Sequence, residues 1–382
     1  MKKRNLLIKL TLMAFLVFSL IGCGNSNGKD SNADKIVLGF MGPLTGDYSI
    51  YGETTREGID LALEEINAAG GVLGKQLILV PYDTKGDKTE AINAYNRLRD
   101  NDKMVALLGG TLSGDTLAIK EIAKNDGIPI LTPTGTHLDI TIDAPNVFRA
   151  CFIDPYQGET AAVFAANNLK AKKVAILYNT TDGYSEGLAT SFETKFAEVG
   201  ELINVEGYTQ NDSDFRAVLT KIAASNPDGL YLPEYYSKAG QILTQFKELE
   251  LDFPVIGPDG YDGIEQDYAD VAEGHYFTNH FAKTDEAKIV QDFITNYTKK
   301  WGTSPTTFAA LGYDSTYIMV EAIKSAGNTD SSALVTAISN TEITGVTGNV
   351  VFDDNGDPKK SISIVQIKDG KHLLVDKVAV ED

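Results

Sequence analysis

Short runs of β-branched and aliphatic residues alternate along this chain with longer stretches whose apolar positions recur every three or four residues. In the first half the runs are 36–40 (IVLGF), 77–82 (LILVPY), 104–109 (MVALLG) and 128–133 (IPILTP), and they predict strands. Between them, 53–68 carries Ile59, Leu63 and Ile66 on one face, 89–101 follows Asp87 as N-cap, and 116–124 follows Ser113. Strand and helix in strict alternation predict a parallel sheet covered on both faces.

A second series begins near Asp154. Helices at 158–169, 186–199, 215–224 and 238–249 alternate with strands at 174–178, 202–208, 229–233 and 254–257, predicting a second parallel sheet. The two series open alike: a strand, a loop, Tyr51-Gly52-Glu53, a helix and a strand ending in Tyr82 match a strand, a loop, Tyr184-Ser185-Glu186, a helix and a strand ending in Tyr208. Two related lobes facing each other put Tyr51 and Tyr184 on opposite walls of one cleft. Helices at 286–301, 308–326 and 332–340 follow, then a pair of strands at 348–352 and 361–367 joined by an Asp-Asn-Gly turn. The expected fold is therefore α/β, with two doubly wound parallel-sheet lobes, a multi-strand hinge and a ligand cleft between the lobes. One lobe takes 35–153 with 283–349, and the other takes 154–282 with 350–382.

The first residues are of another kind. Lys2, Lys3 and Arg4 precede an apolar run, 10–21, too short to span a bilayer, which reads as a signal peptide over 1–22. Leu20-Ile21-Gly22-Cys23 resembles a bacterial lipobox, which implies lipidation of Cys23; residues 23–34, rich in Gly, Ser, Asn and Asp, read as a flexible tether. With 382 residues, 43% hydrophobic and 23% charged, the remainder suits a two-domain globular protein. The formal charge is −19, and loss of the four basic residues Lys2, Lys3, Arg4 and Lys9 with the leader takes it to −23. That charge disfavours nucleic acid and anionic headgroups, leaving the lipid as the membrane contact. With Cys23 lipidated, Cys151 has no disulfide partner and reads as a small buried hydrophobe. The four histidines, 137, 275, 280 and 372, share no metal-ligand spacing, so no metal or cofactor is expected from the pattern, although scattered Asp leave a calcium site open.

Ligands of open parallel sheets bind beyond the carboxyl ends of the strands. After strand 104–109 comes GTLSGDT, where Ser113 opens a helix and offers a hydroxyl beside free N–H groups, a setting that suits a small carboxylate. Ser113 as a plain helix cap is the competing reading. The next strand ends in TPTGT, with hydroxyls at Thr132, Thr134 and Thr136. In the second series, strand 254–257 ends in Pro258-Asp259-Gly260, where Asp259 is either a turn residue or a counter-ion for an ammonium group, and Tyr235 and Tyr236 end the strand before it. A carboxylate site facing an ammonium site, ringed by tyrosines, describes a zwitterionic α-amino acid.

Through KIVLGFMGPLTGDYSIYG, INAAGGVLGKQ, GGTLSGDT, ILTPTGT, DGYSEGLA and IGPDG, the chain resembles the leucine/isoleucine/valine-type periplasmic binding proteins of the type I fold, over nearly all of 35–368. The resemblance implies a substrate-binding protein of an ABC importer. It places the ligand carboxylate on Ser113 and Thr136, the ammonium on Asp259 and the Thr134 carbonyl, and family tyrosines on Tyr51, Tyr184 and Tyr235. Asp259 stands where the family often has Glu. The expected protein is a monomer on the outer face of a bacterial membrane that closes on a small aliphatic amino acid and docks on the permease. The same fold also hosts ligands that are amides or aromatic acids. The competing enzyme reading is a serine hydrolase, because Gly183-Tyr184-Ser185-Glu186-Gly187 fits G-x-S-x-G with His275 and His280 downstream. Neither a P-loop nor a G-x-G-x-x-G motif is present.

Overall fold

The computed structural model describes residues 35–379; the leader, Cys23, the tether and residues 380–382 lie outside them. The first sheet holds β1 (Lys35–Gly42), β2 (Gln76–Asp83), β3 (Ala106–Gly109), β4 (Ile130–Thr132) and β5 (Val147–Arg149) in the order β2-β1-β3-β4-β5. β1, β3, β4 and β5 run parallel. Their crossovers are α1 (Ser49–Ala68), α2 (Lys88–Asp100) and α3 (Ser113–Asp126). Asp87 caps α2 by accepting from the N–H groups of Thr89 and Glu90, which satisfies two donors with no partner inside the helix. β5 is a three-residue strand that the pattern did not separate from the loop around it.

The second series builds β6 (Lys173–Asn179), β7 (Glu201–Tyr208), β8 (Gly229–Tyr231), β9 (Val255–Gly257) and β10 (Tyr276–Asn279). Its helices are α4 (Asp154–Asn167), α5 (Gly183–Val199), α6 (Arg216–Ala224), α7 (Tyr236–Glu248) and α8 (Ile264–Ala272). The chain then returns to the first lobe through α9 (Lys288–Trp301), α10 (Thr307–Ala326), α11 (Ser331–Ser339) and a hairpin of β11 (Glu342–Gly345) and β12 (Gly348–Val351). α10 lies along α1 so closely that a Cβ on Gly58 would stand 1.9 Å from the Ala309 carbonyl oxygen, and one on Gly312 would stand 2.2 Å from that of Thr55. Only glycine permits such a backbone approach.

The predicted pairing of 348–352 with 361–367 is corrected. β12 pairs with β11, whereas β13 (Ile362–Lys368) crosses to the second lobe and pairs antiparallel with β10 and with β14 (Lys371–Val378). The turn at 353–356 exists, but the strands on either side of it have partners in different lobes. The true final hairpin turns at Asp369-Gly370, both with positive φ (52° and 65°), as a two-residue turn matched to strand twist requires. The second sheet is thus mixed, in the order β14-β13-β10-β9-β8-β6-β7, with its antiparallel strands at one edge.

The chain passes between lobes three times, at 150–153, 280–287 and 352–361, and two buried cations brace these passages. Arg149, with no exposed surface, places its Nε 2.5 Å from Asp357 Oδ1 and donates to the carbonyls of Gly135, His137 and Leu138 and to the Thr141 hydroxyl. Lys360 donates to the Ala150 carbonyl and the Thr347 hydroxyl, and Asp314 accepts from Val346 and Thr347 next to it.

Candidate functional site

Between the lobes lies a narrow cavity of about 10 Å³. Larger hollows, about 380 Å³ beside α4 and β14 and about 430 Å³ beside α10 and β11, are open and each lies on the outside of one lobe. In the small cavity polar groups from both lobes converge, and convergence rather than size marks a binding site.

Its first wall is made of strand ends and the start of a helix. Ser113 opens α3 with its N–H end toward the cavity, and Thr134 and Thr136 follow β4. This wall is held by its own threonines. Thr132 donates to the Gly110 carbonyl at 2.7 Å and accepts from the Gly135 N–H at 2.9 Å, while Thr134 donates to the Thr111 carbonyl at 2.5 Å. Thr116 adds a second bond to Gly110, and Arg149 supports the same loop from behind at Gly135 and His137. Ser113 Oγ accepts from the His137 N–H, whereas the Thr136 hydroxyl is buried without a hydrogen bond. Beneath the loop, burial pushes the Asp115 carboxyl up to about 7 although Thr84 donates to it.

The second wall is acidic and aromatic. Tyr184, at the start of α5, donates to Asp259 Oδ1 at 2.6 Å and accepts from the Gly260 N–H at 2.9 Å. Asp259 Oδ2 lies 2.9 Å from His280 Nε2, and its own N–H donates to Gln157 Oε1. Burial drives the His280 pKa down against the pull of Asp259, and the neutral ring that this favours can donate to Asp259 through Nε2. Burial, reinforced by Asp259, pushes the Tyr184 phenol up and keeps it a donor. Tyr235 stacks on Tyr184 with ring centroids 4.7 Å apart, and Phe308 from α10 and Leu112 add apolar surface.

Six of the seven residues singled out from the sequence, Ser113, Thr134, Thr136, Tyr184, Tyr235 and Asp259, line this cavity. Tyr51 stands behind it. Its ring packs on Phe308 at 4.7 Å, and its hydroxyl donates to the Gly260 carbonyl at 2.6 Å and accepts from the Tyr236 N–H at 2.8 Å. A first-lobe side chain thus clasps two second-lobe backbone groups. Gln210 to the Tyr48 hydroxyl, and the Thr307 N–H to Asp262, add two further bonds across the same cleft. Sequence reasoning missed Asp154, Gln157 and Phe308, and considered His280 only as part of a triad. No local signal marks them, since their places depend on strand register between distant segments.

The hydrolase geometry is absent around Ser185. Its hydroxyl is buried, donates to the Pro233 carbonyl and accepts from the Asn179 N–H, while His280 faces Asp259 and His275 accepts from the Val255 N–H. Cys151 is buried with its thiol on the Gly135 carbonyl, and burial raises its pKa. Among the described residues one group could hold a metal: Asp262, Glu265 and His372. His372 Nε2 stands 2.9 Å from Glu265 and Nδ1 3.7 Å from Asp262, with Lys283 3.6 Å from Glu265, so basic side chains of the protein itself already face both carboxylates. Among the described residues no helix is long and apolar enough to cross a membrane.

Two lobes closed over a cavity with one dipolar wall and one acidic wall define a ligand-binding protein. The comparisons agree: residues 35–371 match the periplasmic binding protein family, and the chain belongs to it. It is 30% identical to the Leu/Ile/Val-binding protein BraC3 of Rhizobium johnstonii over 371 residues, covering 94% of this chain and 96% of that one. Among solved structures it is similar to the leucine-binding protein LivK of Thermotoga maritima, with TM-score 0.86, 34% identity, and coverage of 90% of this chain and 99% of the other. It is also similar to the branched-chain amino acid transporter substrate-binding protein LivJ of Streptococcus pneumoniae in complex with isoleucine, with TM-score 0.85, 32% identity, and coverage of 91% and 99%. These relatives are substrate-binding proteins rather than enzymes, and periplasmic binding proteins are extracytoplasmic.

Proposed function

We propose that the protein binds a small aliphatic amino acid of the branched-chain type between its lobes and delivers it to the membrane permease of an ABC importer. The observation that carries this is the polarity of the cavity. Ser113 and Thr136 stand with the N-terminus of α3 on one side, and Asp259 with Tyr184 on the other, with Leu112, Tyr235 and Phe308 as apolar surface. A carboxylate at the first wall gains N–H donors and a helix dipole without any formal cation. The ammonium group meets Asp259 and the Thr134 carbonyl, and the aliphatic side chain meets the apolar surface.

A ligand bonded to both walls stabilises the closed state through contacts that an open state lacks, so it shifts the population toward closure, and the closed form docks on the permease. In this reading 35–153 with 283–349 and 154–282 with 350–382 are the moving lobes. The protein works as a monomer held to the outer face of the membrane by lipid on Cys23. The relatives named for leucine, isoleucine and valine support the ligand class.

A thermal-shift screen of residues 35–382 against all amino acids, small amides and aromatic acids tests it, because a ligand that binds only the folded state raises the melting temperature. A shift with leucine, isoleucine, valine or alanine is expected. Silence for every amino acid with a hit among the amides or aromatic acids would overturn the ligand and keep the fold.

A further inference from the structure

Behind the cavity, where the chain first passes between lobes, Asp154 opens α4 with 1% of its surface exposed, and neither carboxylate oxygen has a hydrogen-bond partner. A buried carboxylate left unpaired is costly, and such a group calls for a missing partner. The nearby basic side chains are engaged elsewhere. Arg149 is bonded to Asp357 and the 135–138 carbonyls, Lys360 to Ala150 and Thr347, and His280 to Asp259.

The placement of Asp154 joins the two walls. Its N–H donates to the Thr136 carbonyl at 2.9 Å, tying it to the first wall. Its Oδ2 lies 3.6 Å from where a Cβ on Gly187 would stand, against the first turns of α5 that carry Tyr184. The Thr136 hydroxyl, which faces the Asp154 carboxyl and draws its pKa down against the burial, lines the cavity. The carboxylate predicted for the ammonium group is by contrast already occupied: Asp259 accepts from Tyr184 on one oxygen and meets His280 on the other.

We infer that Asp154 is a second acidic contact for the ligand's ammonium group, completing with Asp259 and the Thr136 hydroxyl a two-carboxylate cradle at that end of the cavity. This rests on the amino-acid reading above. Burial, with the nearby Asp259 carboxylate, raises the pKa of the Asp154 carboxyl. An arriving ammonium group stabilises the ionised form, the carboxyl O–H bond breaks, and the proton leaves to the buffer.

The experiment is calorimetric titration of the wild type and Asp154→Asn with L-leucine, L-isoleucine, L-valine and L-alanine, each beside the carboxylic acid that lacks its amino group. Asp154→Asn should weaken the amino acids roughly ten- to hundredfold, the worth of a charged hydrogen bond, and leave the desamino acids nearly unchanged. A merely structural role would weaken both alike and would overturn the inference. Should the variant fail to fold, the wild type decides: titrated in buffers of different ionisation heat, it should release more protons per amino acid bound than per desamino acid. Equal release with both overturns the cradle while the amino-acid reading stands, whereas a wild type that binds none of the four amino acids overturns both.

Discussion

The two walls of the cleft recognise charge by different means. The first holds no ionised side chain against the cavity. It offers a helix start and hydroxyls on a loop braced by Thr132, Thr134 and Arg149, so its donors are in place before any ligand arrives. The second concentrates acids, Asp259 with Glu234 close behind, and needs Tyr184, His280 and Tyr208 as donors to keep them buried. An anion can be met by dipoles spread over a backbone, whereas a cation in a dry site needs a formal negative charge, whose desolvation must be offset by neighbours.

Breaking the brace of the first wall should have the largest effect. Arg149→Met leaves Asp357 buried without its partner and frees the carbonyls of Gly135 and His137. Loss of one member of a buried pair costs about 3–5 kcal/mol, to be read from chemical denaturation of the unliganded protein. A loss below about 1 kcal/mol would mean that the threonines alone hold the loop.

Next is the charge of the second wall. Asp259→Ala should weaken amino-acid binding by about 2–5 kcal/mol in calorimetric titration, since it removes a buried acceptor and leaves Tyr184 and His280 facing a void. An affinity within twofold of the wild type would contradict the assignment of the ammonium end to this wall.

The cost of buried acidity is testable by pH. Burial raises the Glu234 carboxyl to about 7, against a value near 4.5 in the unfolded chain. Its protonated form favours the folded state, so its contribution is full below about pH 4.5 and is lost as pH rises through about 7, in total about 3 kcal/mol. Glu234→Gln keeps the shape and should flatten the fall in stability over that window. An unchanged pH profile would show that the Tyr208 and Tyr235 hydrogen bonds cover the desolvation.

The smallest effect belongs to a first-wall hydroxyl. Ser113→Ala should cost about 1 kcal/mol in affinity, because the helix N–H groups remain. A loss as large as that of Asp259→Ala would remove the distinction between the walls.

Much of the fold was legible in the chain because strand and helix periods are local. Asp87 announced its helix, and the apolar face of 53–68 announced a packed one. Failures came where partners are distant. The Asp353-to-Gly356 turn looks like a hairpin turn in isolation, and only the separate pairing of β12 with β11 and β13 with β10 shows that it carries the chain between lobes. β10 and α8 escaped because segments of four and nine residues carry too few periodic positions. In the site, residues at strand ends were readable from position. Tyr51 was placed beside its cleft, but its hydroxyl turns to Gly260 rather than inward. The meeting of Asp259 with His280 follows from the parallel register Phe277 to Gly257, which no short window contains.

The three passages between lobes also bear on how the chain acquires its structure. The first sheet, complete by Arg149, is covered by α10, so its core waits for residues 307–326; the second sheet waits for β13 and β14, ending at Val378. Neither lobe is a contiguous stretch of chain, and neither can finish folding while the other's middle is still being made. Assembly is therefore late and joint, dominated by contacts of long sequence separation, which slow folding. Truncation before β14 would leave the first core complete and the second sheet without its edge strand.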